Sequence, residues 1–293
     1  MTGGPAISAI VLTYNQARYV PDCLSALVAQ TFGDWELVIA DDASRDGALG
    51  VATGWAADHG IVPVVVAQPI NAGLCATLNA AVARSSGRYL AITAADDRWL
   101  PDKFADQAAW LDEHPDVAVV YTDMASMDDD GVVDPTRVWR TSGHSGHLFD
   151  ELLDGTMIGT ATTLIRRSAL AAIGGFDESL VFEDWDAWLR LADRYEFAYH
   201  PRVSAVYRER PDSMSAGSEF RVEILRSTVR LLSKWIGRSR RTDRRIAASL
   251  SRVGWRLAPH DPPAGRAAMW RACRLAPSRA NLGRLARSLI AVR

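Results

Sequence analysis

The sequence predicts an α/β protein built on a mainly parallel sheet flanked by helices, with a helical module at its C-terminal end. Three observations predict it. Short apolar runs of strand length alternate with segments of helical period from Ile7 onward. Turn signals fall between them, at Asp46-Gly47, Asn71-Ala72-Gly73 and Ser86-Gly87. The charge also changes sign along the chain: residues 1–217 carry 15 Lys/Arg against 31 Asp/Glu, and residues 218–293 carry 18 against 4, which leaves a net charge of -2.

Taken in order, Ile7–Leu12 reads as a buried first strand. Ala17–Gln30 follows as a helix with Val20, Leu24, Leu27 and Val28 on one face and Pro21 tolerated near its start. Trp35–Ala40 is a second strand running into Asp41-Asp42. A helix Val51–Asp58, a strand Val62–Ala67, a helix Leu74–Ser85 and a strand Tyr89–Thr93 complete a β-α-β-α-β-α-β succession. Beyond Asp97 come a helix Pro101–Glu113, a strand Val117–Tyr121, and a polar stretch from Met127 to Gly146 read as a hairpin turn or loop around Asp128-Asp129-Asp130-Gly131. Helical signals return at Leu148–Leu153, Ser168–Ile173 and Trp185–Arg194, and strand signals at Ala198–His200 and Ala205–Arg208. From about Glu219 the chain is basic and helical, with Val222, Leu225, Val229, Leu232 and Ile236 on one face. Trp255-Arg-Leu-Ala-Pro259 and Cys273-Arg-Leu-Ala-Pro277 each end a helical run there, as in a helical hairpin or small bundle. The expected domains are therefore 1–217, in halves 1–100 and 101–217, and 218–293.

A chain of 293 residues with 48% hydrophobic content has enough apolar material for a large core. The first residues lack a basic leader pattern and no run approaches the roughly 18 apolar residues of a membrane span, so the expectation is a cytoplasmic protein, peripheral at most at the inner face of the membrane. The acidic body repels polyanions, which argues against nucleic acid as a partner. Cys23, Cys75 and Cys273 lack the spacing of a zinc site or a disulfide framework.

Ligands of open α/β sheets bind at the carboxyl ends of strands. Polar residues collect there: Thr13-Tyr14-Asn15, Asp41-Asp42-Ala43-Ser44 and Asp96-Asp97. Asp42 and Ser44 also suit caps of a following helix. No GxGxxG follows the first strand and no GxxxxGK[ST] occurs, so a dinucleotide fingerprint and a P-loop are absent and phosphate must be neutralised by other means. Adjacent carboxylates are costly to hold as charges without a cation or donors. Mg²⁺ or Mn²⁺ suits the Asp96-Asp97 pair, since such ions take one or two carboxylates and fill the shell with water and phosphate oxygens. The alternative for the pair is an N-cap of the Pro101 helix. A second constellation, Phe182-Glu183-Asp184-Trp185-Asp186, sets three acids among aromatics before a helix; on residues alone Asp184 or Asp186 is a cap or first-turn acid.

The ordered series Ser8–Asn15, Asp41-Asp-Ala-Ser-Arg-Asp-Gly47, Asn71-Ala-Gly73, Asn79, Gly87-Arg-Tyr-Leu90, Ala95-Asp-Asp97, Gly174-Gly-Phe-Asp-Glu-Ser-Leu180, Glu183–Arg190, Tyr207-Arg208 and Ser213-Met-Ser215 resembles the nucleotide-sugar domain of family 2 glycosyltransferases. The match covers roughly residues 6–216. It implies a GT-A, Rossmann-like fold and an inverting transfer from a UDP- or dTDP-sugar to a hydroxyl of a glycan, lipid-linked or natural-product acceptor. By resemblance, Thr13, Tyr14, Asn15 and Asp41 hold the donor's nucleoside, Asn79 fills a recurrent family position, Asp96 meets the ribose side, and Asp97 holds the Mg²⁺ or Mn²⁺ that bridges the diphosphate. Asp184 is then the base that deprotonates the acceptor, with Glu183 and Trp185 on the acceptor side; Trp185, spaced helically from Trp188, reads equally as core.

Two departures modify that expectation. Arg210 stands where many relatives carry a histidine; arginine cannot ligate a cation but pairs directly with phosphate oxygens. Ala94 removes a supporting acid. The rival readings are a sugar-phosphate nucleotidyltransferase, which lacks its glycine-rich loop here, and a non-catalytic nucleotide-sugar or glycan-binding module. For the C-terminal module the amphipathic Arg226–Arg245 segment suggests packing on the body, a homodimer contact or a membrane-surface contact.

Overall fold

In the computed structural model, residues 4–141, 143–156, 158–211 and 218–290 are described. The Ser213-Met-Ser215 segment of the family resemblance lies outside them.

The first half is the alternating unit that the sequence predicts. Strands β1 (Ile7–Thr13), β2 (Trp35–Asp41), β3 (Val64–Ala67) and β4 (Tyr89–Ala94) are parallel in the order β3-β2-β1-β4. They are joined by helices α1 (Val20–Val28), α2 (Ala48–Asp58) and α3 (Leu74–Arg84). Ile7, Ala9, Val11, Leu37 and Ile39 are buried between these layers, as expected for parallel strands covered on both faces. Register fixes what matters for function: Thr13 pairs with Asp41 and Leu12 with Ala94, so the polar strand ends open at one edge of the sheet.

The second half extends this sheet in mixed orientation to nine strands among the described residues. Beyond β4 the order is β8 (Leu164–Arg166), β6 (Val117–Met127), β9 (Glu196–Arg208) and β5 (Arg98–Trp99), and β7 (Val133–Trp139) pairs with β6. Helices α4 (Lys103–Glu113) and α6 (Arg167–Ala172) flank it. The sequence reading contained neither β5 nor β8, and three further elements differ from it. Strand β6 runs past Tyr121 to Met127, because its polar residues are buried and satisfied: Thr122 Oγ1 lies 2.6 Å from Ser204 Oγ, Asp123 accepts from Tyr199 Oη at 2.9 Å, and Ser126 accepts from Trp139 Nε1 at 2.8 Å. The two separate strands expected at 198–208 are one long β9 with register shifts opposite Thr122–Met124. The polar 127–146 stretch contains β7 as well as a turn, which Gly131 N closes on Asp128 O at 3.0 Å.

The edge of the sheet away from the polar strand ends is locked by a buried network. Ser8 Oγ donates to Glu36 at 2.7 Å and accepts from Gly87 N at 2.8 Å, and Arg167 donates to Ser8, Ser85 and the Val82 carbonyl. Gly87 admits no Cβ, which would run into the backbone of Ile7 and Ser8. Gly87→Ala is expected to destabilise the protein by about 2–3 kcal/mol, seen as a lower midpoint in urea unfolding; an unchanged midpoint would show that β1 and β4 do not need this approach.

The chain divides into two compact units, one of Met1–Leu148, Met157–Glu178 and Ala187–Arg210, the other of Phe149–Thr156, Ser179–Asp186 and Pro211–Arg293. The second is helical. It contains α5 (Phe149–Leu152), α8 (Ser218–Ser233), α9 (Arg240–Leu257), α10 (Pro262–Leu275) and α11 (Arg279–Ile290); helix α7 (Asp184–Ala192) begins in it. Ser239 caps α9 by accepting from Thr242 N, and Asp261 caps α10 ahead of Pro262 by accepting from Ala264 N. The two Arg-Leu-Ala-Pro runs close α9 and α10, which cross closely at Gly254 and Gly265. Four cations of the Arg226–Arg245 segment are paired inside this unit: Arg226 with Asp261, Lys234 with Asp186, Arg241 with Asp150 and Arg245 with Asp154. Among the described residues no helix is long and apolar enough to cross a membrane.

Candidate active site

The strand ends of the first unit bring Thr13, Tyr14, Asn15 and Asp41 together. Asn15 takes the left-handed conformation, φ 54°, which asparagine tolerates, and ties two loops: its N–H donates to Ser44 Oγ at 2.9 Å and its side-chain oxygen accepts from Arg45 N at 2.8 Å. Asp41 Oδ2 accepts from Ser44 N at 3.0 Å, whereas Asp41 Oδ1 and Thr13 Oγ1 are buried polar atoms without a hydrogen-bond partner. Buried atoms of that kind are uncommon in a folded chain, which makes both oxygens candidates for bonds to a ligand or an ordered water. Tyr14 is exposed beside them. Asp42 serves the fold instead. It accepts from Ala72 N, Gly73 N and Thr77 Oγ1, so it shapes the turn before α3 rather than capping α2. Asn79 is likewise engaged, accepting from Phe176 N at 2.9 Å and donating to Phe176 O and Glu178. Gly175, at φ +75°, lies where a Cβ would come within 2.8 Å of the Asn79 side-chain oxygen, so this amide holds the Gly174-Gly175-Phe176 turn.

Asp96 and Asp97 follow β4, both buried. They do not cap α4, whose first turn lies beyond β5 and whose N-terminal neighbour is Asp102. Instead, a group of cations answers them. Arg210 Nε lies 3.1 Å from Asp96 Oδ2, and Gln16 hydrogen-bonds the same carboxylate. Asp97 Oδ1 accepts from Arg208 N at 2.9 Å. The buried Arg208 side chain donates to Asp96 O and Asp129 O, each at 2.9 Å, and pairs with Asp22 of α1, which Arg98 Nε also reaches at 2.6 Å. Tyr19 completes the cluster: Arg208 and Arg210 stand over its ring at 4.9 and 5.1 Å, and its hydroxyl donates to Asp129 at 2.6 Å. Burial pushes both acids of the pair above the ordinary carboxylate range. Arg210 opposes the rise at Asp96, and the Asp96 charge adds to it at Asp97, which lies well above.

The residues Glu183, Asp184 and Trp185 belong to the second unit. Asp184 opens α7 and accepts from Trp185 N at 2.6 Å. Burial, and next the Glu183 charge, push its carboxyl up to about 7. Asp186 is a structural acid, paired with Lys234 Nζ at 2.6 Å. The Trp185 indole N–H donates to Leu152 O at 2.6 Å, which anchors the half-buried ring; Trp188 is fully buried core.

Sequence reasoning missed Arg208, Asp22, Arg98, Tyr19 and Asp129. Each is ordinary in its local stretch and gains meaning only when β9, α1 and the β6–β7 turn meet at the end of β4. The local signals were the Asp128–Asp130 run, more negative charge than a turn needs, and Tyr207-Arg208, which stood in the family series without a role of its own.

A sequence model of the family described as glycosyl transferase family 2 matches residues 8–174. The chain belongs to the family 2 glycosyltransferases. Over 216 residues this glycosyltransferase is 30% identical to the Bacillus subtilis (strain 168) protein named "Putative glycosyltransferase EpsE", across 73% of this chain and 76% of that one. It spans 58% of the length of several mycobacterial relatives. Its fold is that of GT-A glycosyltransferases. S. aureus TarS 1–349, solved in complex with UDP-GlcNAc, superposes with a TM-score of 0.72 at 18% identity, covering 96% of this chain and 88% of that one. The mannosyltransferase PcManGT from Pyrobaculum calidifontis, solved with GDP-Man and Mn²⁺, gives 0.62 at 22% identity, covering 99% and 81%. Membership of this family sets aside the nucleotidyltransferase and binding-module readings.

Among the described residues no group of three or more His, Cys, Asp or Glu is arranged to hold a metal ion. The acid pair nevertheless fits one: two buried carboxylates that resist ionisation together are the donor set a Mg²⁺ or Mn²⁺ ion takes when phosphate and water complete its shell.

Arg208→Met removes the guanidinium that joins β4, β9, α1 and the β6–β7 turn. A loss of about 2–4 kcal/mol in denaturant unfolding is expected; a loss under about 0.5 kcal/mol would show that the cluster does not hold these segments.

Proposed function

We propose that this glycosyltransferase moves the sugar of a UDP- or dTDP-sugar to a hydroxyl of a glycan, lipid-linked or natural-product acceptor with inversion at the anomeric carbon. The observation that carries the proposal is the buried Asp96-Asp97 pair beside Arg210 at the end of a central parallel strand. The UDP-GlcNAc complex of TarS supports a uridine donor.

In this reading the unsatisfied Asp41 Oδ1 accepts the imide N–H of uracil or thymine, and Thr13, Tyr14 and Asn15 form the floor on which the nucleoside lies. Asn79 contributes through the 174–176 turn it holds. Asp96 takes the ribose side. Arg210, a guanidinium that is always charged, pairs with diphosphate oxygens. Asp97, with Asp96 beside it, would hold Mg²⁺ or Mn²⁺, which when bound supplies positive charge to the departing diphosphate. Asp184 removes the proton of the acceptor hydroxyl as that oxygen bonds to the anomeric carbon and the sugar–phosphate bond breaks. Its carboxyl, raised to about 7, is basic enough to accept that proton and still ionised in useful amount near neutrality. Glu183 keeps it so, and Trp185, fixed by its indole N–H, offers an acceptor-side surface.

Two predictions test the base. Asp184→Asn is expected to keep donor affinity while transfer falls by about 10²–10⁴-fold, measured by product formation and by calorimetry with UDP-sugar; near-normal turnover would move the base elsewhere. Transfer by the wild type should fall about tenfold per pH unit as pH drops below about 7.

The same raised carboxyl affects stability. Because its folded value lies above the unfolded one, its contribution is complete below about pH 4 and is lost as pH rises through about 7. Asp184→Asn should therefore gain in melting temperature over the wild type at pH 8 and not at pH 4; equal gains at both would exclude ionisation of Asp184 as the cause.

A further inference from the structure

The last three helices carry charge and apolar surface that the transfer reaction does not use. From Pro262 to the end of the chain there are seven arginines and no Asp or Glu. Among the described residues, none of Arg266, Arg271, Arg274, Arg279, Arg284 and Arg287 forms an ion pair, in contrast to Arg226, Arg241 and Arg245. They meet neutral groups instead: Arg266 donates to Ser288 O at 3.2 Å, Arg271 to Ser233 Oγ at 2.7 Å and Arg284 to Ser251 Oγ at 3.3 Å. Arg274 and Arg287 stand over the rings of Trp270 and Trp255 at 4.8 and 5.5 Å.

Helix α11 is oriented against the usual polarity. It turns Asn281 and Ser288 into the unit, both buried, and leaves Leu282 and Leu289, seven residues apart on one face, 51% and 59% exposed. Trp270 is 55% exposed on α10 and Trp255 40% exposed on α9. Water gives no reason to bury asparagine and serine while exposing two leucines and two tryptophans; a partner with an apolar interior and an anionic surface does.

We propose that this arginine-rich surface of α9–α11 docks on an anionic phospholipid bilayer. Arginine forks match phosphate headgroups, tryptophan rings favour the headgroup level, and the two leucines enter the acyl boundary below it. A single-stranded nucleic acid would use the rings and the charge but gain little from the leucines. A second copy of the same surface, related by a two-fold axis, would set arginine against arginine with no acid of residues 262–293 to receive it.

The test is co-sedimentation of the full chain with vesicles of equal parts phosphatidylglycerol and phosphatidylcholine, and with phosphatidylcholine alone. Binding to the anionic vesicles at least about tenfold tighter than to the neutral ones, and weakened by salt, is expected. Leu282→Ser with Leu289→Ser should reduce anionic-vesicle binding about tenfold. Arg274→Glu with Arg287→Glu should remove most of it; circular dichroism and melting temperature serve as folding controls for these exposed positions. Three results would overturn the proposal: no sedimentation with anionic vesicles, equal sedimentation with both kinds, or full binding by the leucine variant. A leucine variant that binds vesicles as the wild type does but passes from dimer to monomer in ultracentrifugation would assign the surface to self-association.

Discussion

The structure is organised around the cost of keeping two adjacent carboxylates out of water at the end of β4. Asp96 and Asp97 can be held there only if cations and donors reach them from elsewhere in the chain. Arg210 answers Asp96 directly, Arg208 answers through its backbone N–H to Asp97 and its guanidinium to the Asp96 carbonyl, and Asp22 holds Arg208 and Arg98 in turn. That chain of contacts draws together α1, β5, β9 and the β6–β7 turn, which otherwise share little sequence. The site and the mixed half of the sheet are thus two aspects of one electrostatic requirement.

The parallel half was legible in the sequence because its strands are buried on both faces and so read as uninterrupted apolar runs, with turns marked by glycine and asparagine. The grouping of Thr13, Asn15 and Asp41 at the strand ends was legible with it; the register came from the structure. The mixed half was less legible. Strand β6 hides Thr122, Asp123 and Ser126 in its core, and each is tolerable only because a residue of β9, β7 or a following loop supplies its partner, so the local pattern resembles a loop. The same reason concealed Arg208, whose neighbours Tyr207 and Glu209 say nothing of Asp22, about 190 residues earlier. Asp96, Asp97 and Asp184 were visible as candidates, but their protonation depends on burial, which no local pattern reveals.

Two charge arrangements have different consequences for chemistry. At Asp96-Asp97 an arginine shares the neutralisation, so the charge of the pair need not rest on a metal alone. At Asp184 burial raises the carboxyl, and the adjacent Glu183 raises it further. An acid that must accept a proton at neutral pH is best served by that second environment, and an acid that must meet a cation by the first.

Whether the acid pair serves a nucleotide-sugar donor is decided by calorimetric titration of the wild type and of Asp97→Asn with a panel of UDP-, dTDP- and GDP-sugars, with and without Mn²⁺. A UDP- or dTDP-sugar is expected to bind the wild type, more tightly when Mn²⁺ is present, and Asp97→Asn to lose the part that Mn²⁺ adds. Failure of every nucleotide sugar to bind the wild type, with metal and without it, would contradict the assignment.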